Sequence, residues 1–122
     1  MNRSIAVIDD DPSLRKGLSR LLRSAGFSVS TFASGEDFLG AADPALFDCL
    51  VIDVHLGGIT GFELLRRLDP ARGFGVVIIT AHDEAAIHEA LQAAGSPHCL
   101  SKPFDPEELL AAIFRTLDRP EV

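Results

Sequence analysis

The chain has 122 residues, 47% of them hydrophobic, with 18 acidic against 11 basic side chains and a formal net charge of −7. That length fits one domain that buries roughly two-thirds of its unfolded surface without disulfide or metal staples, and the hydrophobic content excludes a disordered chain. The charge makes the chain by itself a poor nucleic-acid binder, no apolar run reaches the ~20 residues of a membrane span, and the start, MNRSIAVIDD, turns acidic too soon for a signal peptide.

Ser4 to Ile8 reads as a short apolar strand that breaks into three acids, Asp9, Asp10 and Asp11. Pro12 suits the first helical position with Asp11 as N-cap, and Leu14, Leu18, Leu21, Leu22 and Ala25 then repeat at helical spacing until Gly26. Arg15, Lys16, Arg20 and Arg23 give this helix a basic outer side. Phe27 to Phe32 alternates as a half-covered edge strand does. Ser34 and Asp37 open a short helix that the Asp43–Pro44 pair stops. Cys49 to Asp53 is an unbroken apolar strand ending on one carboxylate, followed by Gly57, Gly58 and Gly61. Thr60 and Glu63 form a capping box for a helix through Phe62, Leu64, Leu65 and Leu68. Gly75 to Thr80 is another continuous apolar strand. Ala85 to Ala94 is an alanine-rich helix, and 97–100 a short fifth strand. Asp105, Pro106 and Glu108 open a final helix with the stripe Leu109, Leu110, Ile113 and Leu117. Cys49 and Cys99 lack metal-ligand spacing and sit in apolar runs, which predicts packed, reduced thiols and a cytoplasmic protein.

Five strands alternating with five helices predict a doubly wound parallel sheet with helices on both faces. Right-handed crossovers leave few topologies, and 2-1-3-4-5 is one of the two common orders. In that order the carboxyl ends of neighbouring strands bring Asp9, Asp10, Asp53, Thr80 and Lys102 around one cavity, where ligands bind in open α/β sheets. Three crowded carboxylates disfavour one another's ionisation, and a hard divalent cation such as Mg²⁺ relieves this. With an ammonium for phosphate and a hydroxyl donor, these are the parts of a phosphoryl-transfer site whose nucleophile is a carboxylate.

The chain resembles the receiver domains of two-component response regulators. The pieces that carry the resemblance are IDDDPSLR after the first strand, VIDVHLGGITGFELL around Asp53, VVIITAHD at the fourth strand, and AAG with SKPF near the end. It implies a flavodoxin-like receiver fold over residues 1–122, with Asp53 taking a phosphoryl group from a sensor histidine kinase. It further implies that Asp10, Asp53 and the backbone carbonyl of His55 bind Mg²⁺, or Mn²⁺ in its place, and that Asp9 assists through water. Lys102 and Thr80 would contact phosphoryl oxygens, and the Lys102–Pro103 peptide would be cis. The basic side of the first helix would face the kinase. The fourth helix, fifth strand and fifth helix would form an output surface for a homodimer or effector.

Three features depart from the family pattern. Gly57 stands where the loop after the acceptor usually has Pro, which predicts a more mobile loop. His55 and His82 flank the path of attacking water and are expected to tune the lifetime of the acyl phosphate near neutral pH. Cys99 replaces the usual aromatic, so the switch is expected to use Thr80 and the loops, with no ring rotamer. Two other readings compete. An aspartyl phosphatase of the haloacid-dehalogenase type needs a second Asp two residues after the nucleophile, where this chain has His55. A flavin carrier needs a hydroxyl- and glycine-rich phosphate loop where this chain has Asp9–Asp11. The sequence leaves open whether the receiver stands alone or leads, near Arg119–Pro120, into an effector domain.

Overall fold

The protein was analysed as a computed structural model, which describes residues 3–41, 43, 46–68 (the side chain of residue 62 excepted), 74–80 and 99–117. Five parallel strands form one sheet: β1 (Ser4–Ile8), β2 (Ser28–Phe32), β3 (Cys49–Asp53), β4 (Gly75–Thr80) and β5 (Cys99–Ser101), in the order β2-β1-β3-β4-β5. The described helices are α1 (Pro12–Ser24), α2 (Gly35–Ala41), α3 (Gly61–Arg67) and α4 (Pro106–Leu117). The helix expected over 85–94 lies outside the described residues, so the fifth expected helix is the one labelled α4.

Strand alternation divides the apolar residues into two cores. Ile5, Val7, Cys49, Val51, Val77 and Ile79 face α1 and α4, where Leu18, Leu22, Leu109 and Ile113 cover them. Ala6, Ile8, Leu50, Ile52 and Ile78 face the other way, against Phe38 of α2 and Leu64 of α3. Every residue of β3 is buried, as expected for the middle strand of a parallel sheet covered on both faces. Cys49 is part of the first core; burial pushes its thiol up to about 11, and the Thr116 hydroxyl lies 3.5 Å from its sulfur.

The loops that matter for the site are fixed by short polar contacts. Asp11 caps α1, its carboxylate accepting from the Ser13 and Leu14 N–H groups at 2.9 and 3.4 Å. Thr60 caps α3 through a 3.1 Å bond from Glu63 N–H, and Ser34 Oγ accepts from Asp37 N–H at 3.0 Å. Gly26 leaves α1 with a φ of 98°, a left-handed turn suited to glycine. Two strand ends differ from expectation. Phe27 precedes β2, because its N–H still bonds the Leu22 carbonyl at 3.1 Å while its ring packs in the first core. β5 continues to Ser101, because Thr80 pairs with it and Lys102 N–H then bonds Thr80 O at 2.8 Å.

Candidate functional site

β1 and β3 run side by side with Ile8 opposite Ile52, so both deliver acids at the same edge of the sheet. Asp9, just past β1, is 1% exposed, and Asp53, the last residue of β3, is 4% exposed. Asp10 is exposed beside them. Each of these three residues offers a carboxylate oxygen, and the three oxygens lie within 4.8 Å of one another. Lys102, in the turn after β5, reaches in with Nζ 3.2 Å from Asp53 Oδ2 and 3.8 Å from Asp9 Oδ2. Thr80 closes β4 next to the Asp53–Ile79 pair and is fully buried. The five residues expected to converge are therefore brought to one sheet edge.

Asp53 is held from both sides. Its Oδ1 accepts from His55 N–H at 2.9 Å, and its Oδ2 faces Lys102. Asp9 is only half satisfied. Its Oδ1 accepts from Asp11 N–H at 2.9 Å, while Oδ2 is buried without a hydrogen-bond partner. Burial raises the Asp9 carboxyl from 3.8 to about 6; the Asp11 N–H opposes the rise, the Asp53 charge and hydrogen bond add to it, and Lys102 opposes it. For Lys102, burial acts downward, but the hydrogen bond to Asp53 and the charges of Asp53, Asp9 and Asp11 outweigh it and raise the ammonium. An orphaned carboxylate oxygen beside two further carboxylates fits a hard divalent cation, which takes oxygen ligands and keeps waters.

The segment after Asp53 is shaped by glycine and by α2. A Cβ at Gly61 would stand 2.6 Å from the Asp53 carbonyl oxygen and 2.8 Å from Val54 Cα, so only glycine lets α3 start this close to β3. Gly58 has a φ of 75°, and a Cβ there would collide with the Glu36 carboxylate. Glu36 Oε2 in turn accepts from Ile59 N–H at 3.1 Å. Gly57 thus lies in a loop tethered from α2, a contact that no sequence periodicity signals. Arg15 is a second such residue, its Nη1 donating to the Asp9 carbonyl at 2.8 Å.

The remaining expected residues fall as follows. His55 is exposed, and His82 lies outside the described residues, as do His88 and His98. The Lys102–Pro103 peptide is cis. Cys99 is half-buried on the second core, opposite Ile78; burial pushes its thiol up, and a hydrogen bond with the Thr80 side chain works against that rise. No described helix is long and apolar enough to cross a membrane.

An acid pocket of this kind at the carboxyl edge of a 2-1-3-4-5 sheet defines a receiver. Residues 5–114 match the model of the response regulator receiver domain, and the chain belongs to that family. It is 38% identical over 117 residues to the transcriptional regulatory protein FixJ of Azorhizobium caulinodans, covering 94% of this chain and 55% of that protein. The chain spans about half the length of the curated relatives it matches. Among solved structures it resembles the BeF3-activated DrrB receiver domain, with TM-score 0.86, 35% identity, and 98% and 100% of the two chains covered. A putative response regulator from Chloroflexus aurantiacus superposes with TM-score 0.87 at 32% identity over 98% of this chain and 100% of that one. The chain is therefore a two-component phosphoacceptor domain of flavodoxin-like fold, a signalling module of a family that generally uses Mg²⁺ and a histidine kinase partner. Nothing in these likenesses supports a haloacid-dehalogenase-type phosphatase.

Proposed function

We propose that Asp53 is the phosphoacceptor of this receiver and that the receiver unit spans residues 1–122. The Asp53 carboxylate attacks the phosphorus of a phosphohistidine on a sensor histidine kinase. An O–P bond forms as the P–N bond breaks, and the imidazole leaves with the electron pair. Lys102 and Thr80 meet the phosphoryl oxygens, the ammonium as a point charge and the hydroxyl as a donor. Asp10, Asp53 and the His55 carbonyl would hold Mg²⁺, or Mn²⁺ in its place, and Asp9 would assist through water. When bound, Mg²⁺ neutralises the charge that carboxylates and phosphoryl oxygens would otherwise crowd together. The domain promotes its own phosphorylation and, through attack of water on phosphorus, its own dephosphorylation. The reading places it in the cytoplasm, with an output surface on the fourth expected helix, β5 and α4 that meets a second copy or an effector.

The observation that carries this reading is the buried Asp9 Oδ2, which has no hydrogen-bond partner, within a carboxylate cluster whose oxygens lie within 4.8 Å and beside an ammonium 3.2 Å from Asp53. Incubation with labelled acetyl phosphate and Mg²⁺ is expected to label the wild type and to leave Asp53→Asn unlabelled. Label in that variant at the wild-type level removes Asp53 from the role.

A further inference from the structure

A basic groove runs between α1 and β2, away from the acid pocket. It measures about 480 Å³ and is lined by Arg15, Lys16, Ser19, Arg20 and Arg23 of α1 and by Thr31 of β2. Four cations in a chain of net charge −7 are expected to find carboxylate partners. The ion pairs among the described residues join Arg66 and Arg67 to Glu63, and Lys102 to Asp9 and Asp53, so none uses these four. Lys16 and Arg20 are exposed, and Arg15 and Arg23 bend onto backbone carbonyls, those of Asp9 and Val29.

The other wall of the groove is an open sheet edge. β2 is the outermost strand and pairs with β1 alone. Ser28 N–H bonds Arg3 O and Phe32 O accepts from Asp9 N–H, so these residues turn their backbone groups toward β1. By alternation, the N–H and C=O of Val29 and Thr31 point outward. Among the described residues, the Arg23 bond of 3.3 Å to Val29 O is the one hydrogen bond made to that edge. Unpaired edge groups are a template for another strand, and basic side chains along them repel a second identical edge. They select a strand of opposite charge.

We propose that this groove takes an extended acidic segment of a partner protein, which adds a strand to β2 and sets its carboxylates against α1. Lys16 and Arg20, four residues apart, stand about 6 Å from one another along α1 at about 1.5 Å per residue, close to the roughly 6.6 Å step of alternate side chains on a strand. Pairing with the β2 edge needs a polypeptide backbone, which nucleic acid lacks and which a helical partner has already used internally. The acids Asp10 and Asp11 at the start of α1 also disfavour a uniformly charged duplex.

The test is fluorescence anisotropy with a labelled peptide that alternates glutamate and threonine. Binding is expected to weaken as salt rises and to be about tenfold or more weaker for Lys16→Glu with Arg20→Glu. Arg66→Glu on α3 is expected to bind as the wild type does, and circular dichroism checks that each variant is folded. Lys16→Ala with Arg20→Ala replaces the reversal if that variant does not fold. The same peptide with alternate backbone nitrogens methylated keeps its charge but cannot pair, and is expected to bind wild type at least about tenfold more weakly. No binding of the parent peptide overturns the proposal. Equal binding of the methylated peptide overturns it too, as does tighter binding of duplex DNA of matched charge that the Lys16 and Arg20 changes abolish.

Discussion

Asp9→Asn should stabilise the metal-free protein while disabling its site. In the folded state the Asp9 carboxyl titrates near 6, against a reference of 3.8, chiefly because burial penalises its charged form. The folded protein therefore holds this proton more tightly than the unfolded chain. The contribution of this group to stability is present in full below about pH 4 and is lost as pH rises through about 6, amounting to about 3 kcal/mol by pH 7. Asparagine keeps an acceptor for the Asp11 N–H, relieves the repulsion from Asp53 and gives up a 3.8 Å approach of Lys102. The net gain for Asp9→Asn in chelator at pH 7 is about 2–3 kcal/mol, or roughly 6–12 °C in Tm for a domain of this size. Added Mg²⁺ should then raise the Tm of wild type by selective binding to the folded state, and raise that of the variant less. Thermal melts at pH 4 to 7, with and without Mg²⁺, read all of this. A variant that melts at or below wild type in chelator at pH 7 would refute the reasoning, as would a wild type whose stability relative to the variant does not fall between pH 4 and 7.

Lys102→Gln removes the ammonium 3.2 Å from Asp53 and should slow labelling by acetyl phosphate about a hundredfold, measured as initial rates; an unchanged rate would detach Lys102 from the phosphoryl group. Gly61→Ala places a methyl 2.6 Å from the Asp53 carbonyl oxygen and should cost about 1–3 kcal/mol in urea unfolding while also slowing labelling, because the acceptor strand must shift. Glu36→Ala strips the acceptor from Ile59 N–H and should cost about 1 kcal/mol, with faster hydrogen exchange at the Ile59 amide as the direct sign that the tether has gone.

The strands could be read from the sequence because each of their physical signals is local. CLVID and GVVIIT are buried runs with a polar residue at the carboxyl end, and the chain order of strands and helices then restricts the topology. The convergence of Asp9, Asp10, Asp53, Thr80 and Lys102 followed from that topology, since four strand ends at one edge need no knowledge of side-chain angles. The contacts of Glu36 with Ile59 and of Arg15 with the Asp9 carbonyl were not legible. Both join a side chain on a helix to a backbone group in a loop. Neither spacing nor composition marks such a pair, since any exposed Glu or Arg reads as a solvated residue until the loop geometry is known. The Thr80–Cys99 contact was likewise not foreseen. It depends on the register that sets Ile78 opposite Cys99, which short parallel strands do not reveal in sequence.

The run Asp9–Asp10–Asp11 shows how far composition goes. As a sequence it is three equal acids after an apolar strand. The fold gives each a different environment, and strand alternation explains the first difference. Asp9 continues the row of Ile5 and Val7, which faces the first core, so it is carried inward to 1% exposure with one oxygen unpartnered. Asp10 is one residue on and comes out to solvent. Asp11 has left the strand altogether, and its carboxylate satisfies two orphan N–H groups at the start of α1. A cation held between Asp9, Asp10 and Asp53 would therefore meet one buried acid that burial discourages from ionising and one that stands in solvent. The Asp11 carboxylate is occupied as a cap, which keeps the loop in place and leaves Asp9 and Asp10 to face the pocket. A one-residue insertion after Ile8 would set the inserted residue in the inward position and carry the Asp9 carboxylate out to solvent. The pocket thus depends on the length of this turn as well as on its charge.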